Sequence, residues 1–287
     1  MAAGGAEGGV GDASTALGPG YALRLDPREV TRYRMMAERA RATEAELWRM
    51  AGIGPGARVV DVGCGPGALL PILAAEVAPG GEVTGVDADP TAVTAAREYT
   101  SGVERVWVRE GTAERTGLPA GEFDAVMVRH VLAHNGGREQ AIVTHLATLL
   151  RPGGCLYVAD AYGRGMATVP ELPVLTEMSE RYQAFHAARG NHLQAGLHLA
   201  EWLRGAGLEV VDFRGRYQIL PAPPGLRPPA WAARDAMLAA GIVTAADLQR
   251  WEQAIEDIDA RSERPTLFMP LFTAIGRAPN PANPPAG

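Results

Sequence analysis

Cysteine is nearly absent from this chain: Cys64 and Cys155 are the only two among 287 residues. Neither a disulfide framework nor a cysteine-based metal cluster can be built from so few, and such usage fits a reducing compartment. Long apolar runs are missing too. The stretch Ala141 to Leu150 is among the longest and stops well short of the roughly 18–20 residues that a membrane span requires. Clustered basic residues are lacking, and the formal net charge is −6, so no positive field is available to hold a phosphate backbone. Nucleic acid is therefore excluded as an expected partner, and so is a membrane. The first twenty residues, rich in Gly and Ala, have no basic stretch followed by an apolar one, and read as a tail and not as a secretory signal. A cytoplasmic location is expected.

What is present is ordinary globular material. Hydrophobic residues make up 47% and charged residues 21%, and a chain of this length buries roughly 70–75% of its unfolded surface. Short β-branched runs alternate with longer helical periods, the pattern of a doubly wound α/β sheet. Asp26-Pro27-Arg28-Glu29 offers an N-cap, a proline at the first helical position and an acid in the first turn, which opens a helix lasting to Gly52. Strands are predicted at Arg58–Val62, Glu82–Val86, Arg105–Arg109, Asp124–Val128 and Cys155–Asp160, with helices between them at Gly67–Val77, Pro90–Tyr99 and Arg138–Leu150. The last of these ends at Arg151-Pro152-Gly153-Gly154. Further strands are predicted at Leu208–Leu220 and Thr266–Gly276.

The organisation expected is a tail over 1–20, a helical cap over 21–56, a cofactor-binding domain over 57–276 and a proline-rich tail over 277–287. Two helical insertions, 162–203 and 221–264, interrupt the domain and are candidate lids near the carboxyl ends of the strands, where ligands bind in such sheets. They bring Tyr182, Phe185, Trp202, Trp231 and Trp251 into lid segments, although a Trp on an amphipathic helix is more often core than ligand wall.

The most informative segment is Val59-Val60-Asp61-Val62-Gly63-Cys64-Gly65-Pro66-Gly67, a buried strand running into three alternate glycines and then a helix. Glycine suits such a turn because positive φ and close approach of a ligand both exclude a Cβ. Asp87 ends the second strand, where a carboxylate can accept both hydroxyls of a ribose. Gly63, Gly65 and Ala68 also fit the G-x-G-x-x-A form of a dinucleotide fingerprint, so two cofactor classes share this geometry.

Other segments separate them. Asp61 stands two residues before the first glycine, where a dinucleotide enzyme usually has an apolar residue. Gly111-Thr112-Ala113-Glu114 follows the third strand, Arg129-His130-Val131-Leu132-Ala133-His134 follows the fourth, and Leu150-Arg151-Pro152-Gly153-Gly154 precedes the fifth. Together these resemble the class I S-adenosylmethionine (SAM) methyltransferases over residues 57 to 160. Tyr21-Ala22-Leu23-Arg24-Leu25, with Glu29 and Arg32 beyond it, is similar to the entry of a small-molecule, UbiE-like branch of that superfamily. The resemblance implies a Rossmann-like sheet of seven strands in the order 3-2-1-4-5-7-6, mostly parallel with the seventh antiparallel, and SAM as cofactor with S-adenosylhomocysteine as product. It implies that Asp61, Gly63 and Gly65 hold the methionine part and Asp87 the ribose, with Ala88 beside the adenine. Thr112, Ala113 and Glu114 match the loop over the adenine edge, and Arg129 the residue whose backbone lies along the methionine moiety. Tyr21 either reaches the SAM carboxylate or packs the tail onto the lid.

The same resemblance implies a transferase acting on a small-molecule acceptor, an apolar or aromatic hydroxylated metabolite of the kind met in secondary metabolism. His134 matches a frequent family histidine close to the transferred methyl, and imidazole titrates near neutral pH, so it is the candidate general base for O-methylation. His130 is the second candidate. Asp160 either orients the acceptor or caps the next turn, His145 reads as a surface or core residue, and His186, His192 and His198 have no partner visible in sequence. Asn135-Gly136-Gly137 departs from the family pattern and suggests a flexible rim. Methylation at nitrogen or carbon, a SAM-bound pericyclic or elimination reaction, and a non-enzymatic SAM-binding protein are the alternatives. No metal is expected, and a homodimer is compatible with the chain.

Overall fold

A computed structural model describes residues 27–191, 193–225 and 227–280. The chain folds as α1 (Pro27–Met50), β1 (Arg58–Val62), α2 (Leu70–Val77), β2 (Glu82–Asp87), α3 (Pro90–Thr100), β3 (Val106–Glu110), β4 (Phe123–Arg129), α4 (Glu139–Leu149), β5 (Leu150–Ala161), β6 (Ala167–Val169), α5 (Pro173–Ala188), α6 (Leu199–Gly205), β7 (Glu209–Pro221), α7 (Pro229–Ala232), α8 (Arg234–Ala239), α9 (Ala245–Asp259) and β8 (Thr266–Arg277). Local chemistry sets several boundaries. Asp89 caps α3 by accepting from the Thr91 N–H at 2.8 Å, with Pro90 occupying the first helical position. Thr244 and Asp247 form a capping box at the start of α9. The expected cap of α1 rests on Asp26, which lies outside the described residues.

The strands form one sheet in the order β3-β2-β1-β4-β5-β8-β6, with β7 on the other edge of β8. β1 to β5 run parallel, and β8 is antiparallel to β5, β6 and β7. Setting the short β6 aside, this is the predicted seven-stranded order. The eighth strand escaped prediction because three residues, Ala-Thr-Val, are too few to show a period; they pair with Thr266–Phe268 at the start of β8. The central strands are buried on both faces, which explains their continuous apolar reading. α1 and α2 cover one face, with Trp48, Leu70, Leu73 and Tyr157 fully buried there. α4 and α6 cover the other around Ile142, Leu146 and Leu203.

Several boundaries moved. β5 begins at Leu150 and not at Cys155, because Leu150 already pairs with Phe123 of β4, so Arg151-Pro152-Gly153-Gly154 lies within the strand. α2 begins at Leu70 and not at Gly67, because Gly67 has φ +78° and cannot open a right-handed helix. β8 continues to Arg277, and the Ala278 N–H donates to Gly154 O at 2.8 Å, so the stretch expected as a tail from 277 starts as ordered chain; residues 281–287 lie outside the described residues. The predicted tail over 1–20 lies outside them as well. Among the described residues no helix is long and apolar enough to cross a membrane.

The two insertions share a core of their own. Met178, Tyr182 and Phe185 of α5 pack with Ala230 of α7, Met237 of α8 and Trp251 and Ile255 of α9. Trp251 is fully buried. Trp251→Ala is expected to cost about 3–5 kcal/mol within this module. Hydrogen exchange should then show lost protection in α5 and α7–α9 while β1, β4 and β5 keep theirs; uniform loss would mean that the module and the sheet unfold as one unit.

Candidate active site

The turn after β1 is held against β2: the N–H groups of Gly63 and Cys64 both donate to Val86 O, at 2.7 and 3.1 Å. Gly63, Gly65 and Gly67 have φ of +76°, +55° and +78°. A Cβ on Gly63 would lie 2.3 Å from Val131 Cγ2, and one on Gly67 would lie 2.9 Å from Ala96 Cβ. Gly63 is thus required where the turn meets the segment after β4, while Gly67 serves helix packing. Gly65 N–H donates to Asp87 Oδ2 at 2.8 Å, and Asp89 N–H to Oδ1 at 2.9 Å. Each carboxylate oxygen can accept a further donor. Ala88 beside it is exposed.

Asp61, inside β1, is 4% exposed. Burial pushes its carboxyl up to about 7, against the attraction of the Arg129 guanidinium and with help from the like charge of Asp87. Arg129 ends β4 and was expected to act through its backbone. Its side chain also makes a two-armed ion pair with Glu44 of α1, Nη2 to Oε1 at 2.9 Å and Nε to Oε2 at 3.1 Å. Tyr157 and Arg216 complete the surroundings of Glu44, at 2.6 and 3.2 Å. Sequence reasoning missed this cluster because the partners stand 85 and 113 residues apart with no spacing signal.

The loop after β3 is hooked to the same corner by Gly111 N–H donating to Asp87 O at 2.9 Å. Ala113 packs on the core, and Glu114 pairs with Arg138 at 3.1 Å. Thr112 bridges to Arg115. His145 ties the loop to α4, accepting from Thr116 N–H at 3.1 Å, which gives that histidine a structural role.

After β4 the chain turns sharply. His130 has φ +56° and donates its N–H to Ala159 O at 2.9 Å, and a single turn of 3-10 helix follows over Leu132–His134. Asp160 holds that turn: its oxygens accept from Ala133 N–H at 3.1 Å and Ala161 N–H at 2.8 Å, so it caps the turn. The His134 ring lies 4.8 Å from that of His186, edge to face, and His186 in turn packs on Tyr182 and Phe185. Burial pushes His130 and His134 down to about 3 and His186 to about 4, with nearby positive charge adding to the effect. A near-neutral titration of His134, expected from the free imidazole, is therefore moved far into the acid range.

Asn135-Gly136-Gly137 is a docking point and not a flexible rim. Gly136 N–H donates to Asn191 Oδ1 at 3.0 Å, and a Cβ on Gly136 would lie 1.8 Å from Gly190 O. That contact brings the end of α5, and with it His186, onto the 3-10 turn. His198 stays away, pairing with Glu201 at 3.3 Å. Tyr21 and His192 lie outside the described residues.

A doubly wound sheet with an acid in its first strand, a positive-φ glycine turn and a second-strand carboxylate is an arrangement suited to a nucleoside cofactor. Residues 59–154 match the family model described as a methyltransferase domain. The ubiquinone biosynthesis O-methyltransferase of Xanthomonas axonopodis pv. citri (strain 306) is 34% identical over 166 residues, 56% of this chain and 66% of that protein, so the match spans just under two thirds of the relative. Among solved structures, a candidate methyltransferase from Bacillus halodurans C-125 superposes with a TM-score of 0.55 at 19% identity, over 83% of this chain and 100% of that one. Phosphoethanolamine N-methyltransferase 2 of Haemonchus contortus, solved in complex with SAM, gives 0.52 at 17% identity, over 82% of this chain and 52% of that one. Over residues 59–154 the chain is similar to methyltransferase domains, and the residues of this corner fit the SAM cofactor of such proteins: Asp61 suits an ammonium, Asp87 a diol.

A cofactor ammonium needs the ionised form of Asp61. Calorimetric affinity for S-adenosylhomocysteine should therefore rise as pH climbs through about 7. Without ligand the sign reverses: a carboxyl whose value is raised from 3.8 to about 7 makes the folded chain less stable as pH rises across that window. An affinity that is flat between pH 6 and 8 would remove Asp61 from the cofactor contact.

Proposed function

We propose that this protein transfers the methyl group of SAM to a hydroxyl of a small apolar or aromatic acceptor, with His134 taking the hydroxyl proton. The observation that carries the reading is the meeting of two neutral imidazoles, the half-buried His134 on the turn after β4 and the buried His186 of α5, the latter packed on Tyr182 and Phe185 of the apolar module of α5 and α7–α9. The O-methyltransferase name of the Xanthomonas relative supports it. Asp61, Gly63 and Gly65 hold the methionine end, Asp87 the ribose, and Ala88 with Thr112, Ala113 and Glu114 border the adenine.

SAM supplies an activated methyl on a sulfonium, with neutral S-adenosylhomocysteine as the leaving group. The acceptor oxygen forms the new C–O bond while the C–S electron pair returns to sulfur. The acceptor proton passes to a ring nitrogen of His134, and from there to solvent. With a value near 3, His134 is unprotonated across physiological pH but too weak a base to ionise the hydroxyl beforehand. Proton transfer thus accompanies methyl transfer, and positioning provides most of the rate, on the order of 7–11 kcal/mol for well-oriented reactants. His130, held in the left-handed region, shapes the turn that presents His134.

Two variants test the reading with labelled SAM and a panel of phenolic and other hydroxylated acceptors. Asp87→Ala should weaken SAM binding by about 2–4 kcal/mol through loss of charge-assisted ribose hydrogen bonds. His134→Ala should lower kcat by about 10²- to 10⁴-fold with little change in SAM affinity. A mutant keeping more than about a third of wild-type kcat would leave proximity alone as the catalyst and transfer the reading to nitrogen or carbon acceptors.

A further inference from the structure

Glu44 lies on α1, outside the matched methyltransferase segment, yet it is fully buried. Its carboxylate accepts from Arg129 of β4 at 2.9 and 3.1 Å, from the Tyr157 hydroxyl of β5 at 2.6 Å and from Arg216 of β7, whose Nη2 lies 3.2 Å away. Arg216 also donates to Thr43 O and, at 3.2 Å, to Thr43 Oγ1. Pinning a helix to a sheet needs none of this, because apolar residues of similar volume pack without the desolvation penalty of an ion pair. What the cluster does hold in place is the Arg129 guanidinium, carried at the end of the strand paired directly with that of Asp61, where Asp61 lies opposite Met127 and Val62 opposite Val128, so that Arg129 acts on Asp61.

We propose that Glu44 is a positioning residue for the cofactor: it holds Arg129 and fixes how much of that positive charge reaches Asp61, and so how strongly Asp61 binds the cofactor's ammonium. The inference rests on the SAM reading above. Asp61 is faced by Arg129 from β4, by Asp87 from β2 and by Cys64 from the glycine turn. Glu44 is faced by Arg129, Arg216 and the Tyr157 phenol, which burial and the neighbouring carboxylate keep protonated and donating. Two signs follow. Without the Glu44 charge, Arg129 acts more strongly on Asp61, which ionises at lower pH but is already partly neutralised. Without Arg216, Glu44 is less compensated and draws on Arg129 more fully, so Asp61 ionises at higher pH.

The test is calorimetry of the full chain with S-adenosylhomocysteine between about pH 5.5 and 8.5, reading the midpoint of the affinity rise. Glu44→Gln should lower that midpoint by about half a pH unit or more and weaken binding several-fold at the alkaline end. Arg216→Gln, on an edge strand and half-exposed, should raise it. A folded Glu44→Gln chain with the wild-type midpoint would overturn the proposal. If Glu44→Gln does not fold, as judged by thermal melting, Arg216→Gln decides alone, and an unmoved midpoint there is equally fatal. Failure of the wild-type chain to bind S-adenosylhomocysteine would overturn the SAM reading and this inference together, whereas binding with unmoved midpoints overturns only the inference.

Discussion

A carboxylate inside a sheet is costly unless something charged stands beside it, and the arrangement around β1 follows from that constraint. Asp61 is 4% exposed in a strand otherwise made of valine and one arginine. Its opposite charge, Arg129, comes from the adjacent strand, and Arg129 is in turn balanced by Glu44 from a helix that covers the sheet. The chain of alternating charges therefore runs from the cap, through the end of β4, to the cofactor corner. Because the sequence has no lysine and its 27 Lys+Arg positions are all arginine, each such partner keeps its proton and offers a planar fork of donors. Two members of the cluster meet on the same carboxylate, Arg129 with both arms of its fork and Arg216 with one arm while the other holds Thr43 O.

The glycine turn and the segments around it were legible as structure because their signals are local. Strand β1, the glycine turn, Asp87 at the end of β2 and the loop at Thr112–Glu114 each occupy a few consecutive residues, and backbone geometry explains the residue types: three positive φ values at Gly63, Gly65 and Gly67. The acceptor half was legible only in outline. His186 is fifty-two positions beyond His134 and meets it where Gly136 packs against the backbone of Gly190, a contact whose one mark in sequence is the glycine at 136, which read as looseness when it in fact permits closeness. Asp160 was ambiguous for the same reason, since only the fold shows that the Ala133 and Ala161 N–H groups lie within its reach.

Burial also changes what those residues can do. An imidazole in water is a base near neutrality; on the turn after β4, half-buried and desolvated beside His186, His130 and Arg32, His134 is held neutral far into acid. Asp61 moves the other way for the same cause. The corner thus sets an acid that titrates near neutral pH in β1 apart from two uncharged imidazoles beyond β4, an asymmetry set by desolvation more than by residue choice.

The module of α5 and α7–α9 keeps its aromatic and aliphatic packing largely to itself, around Trp251, Met237 and Phe185, and meets the rest of the molecule at places that include the Gly136–Asn191 turn, the His134–His186 ring contact and Leu193, which packs on both cores. The methyltransferase model stops at residue 154, before this module begins. Selection can therefore rewrite the roof over the acceptor, exchanging whole helices, without disturbing the strands that bind the nucleoside. A lineage built this way diversifies its substrates by replacing a detachable part, and relatedness read from the cofactor half says little about which compound each descendant modifies.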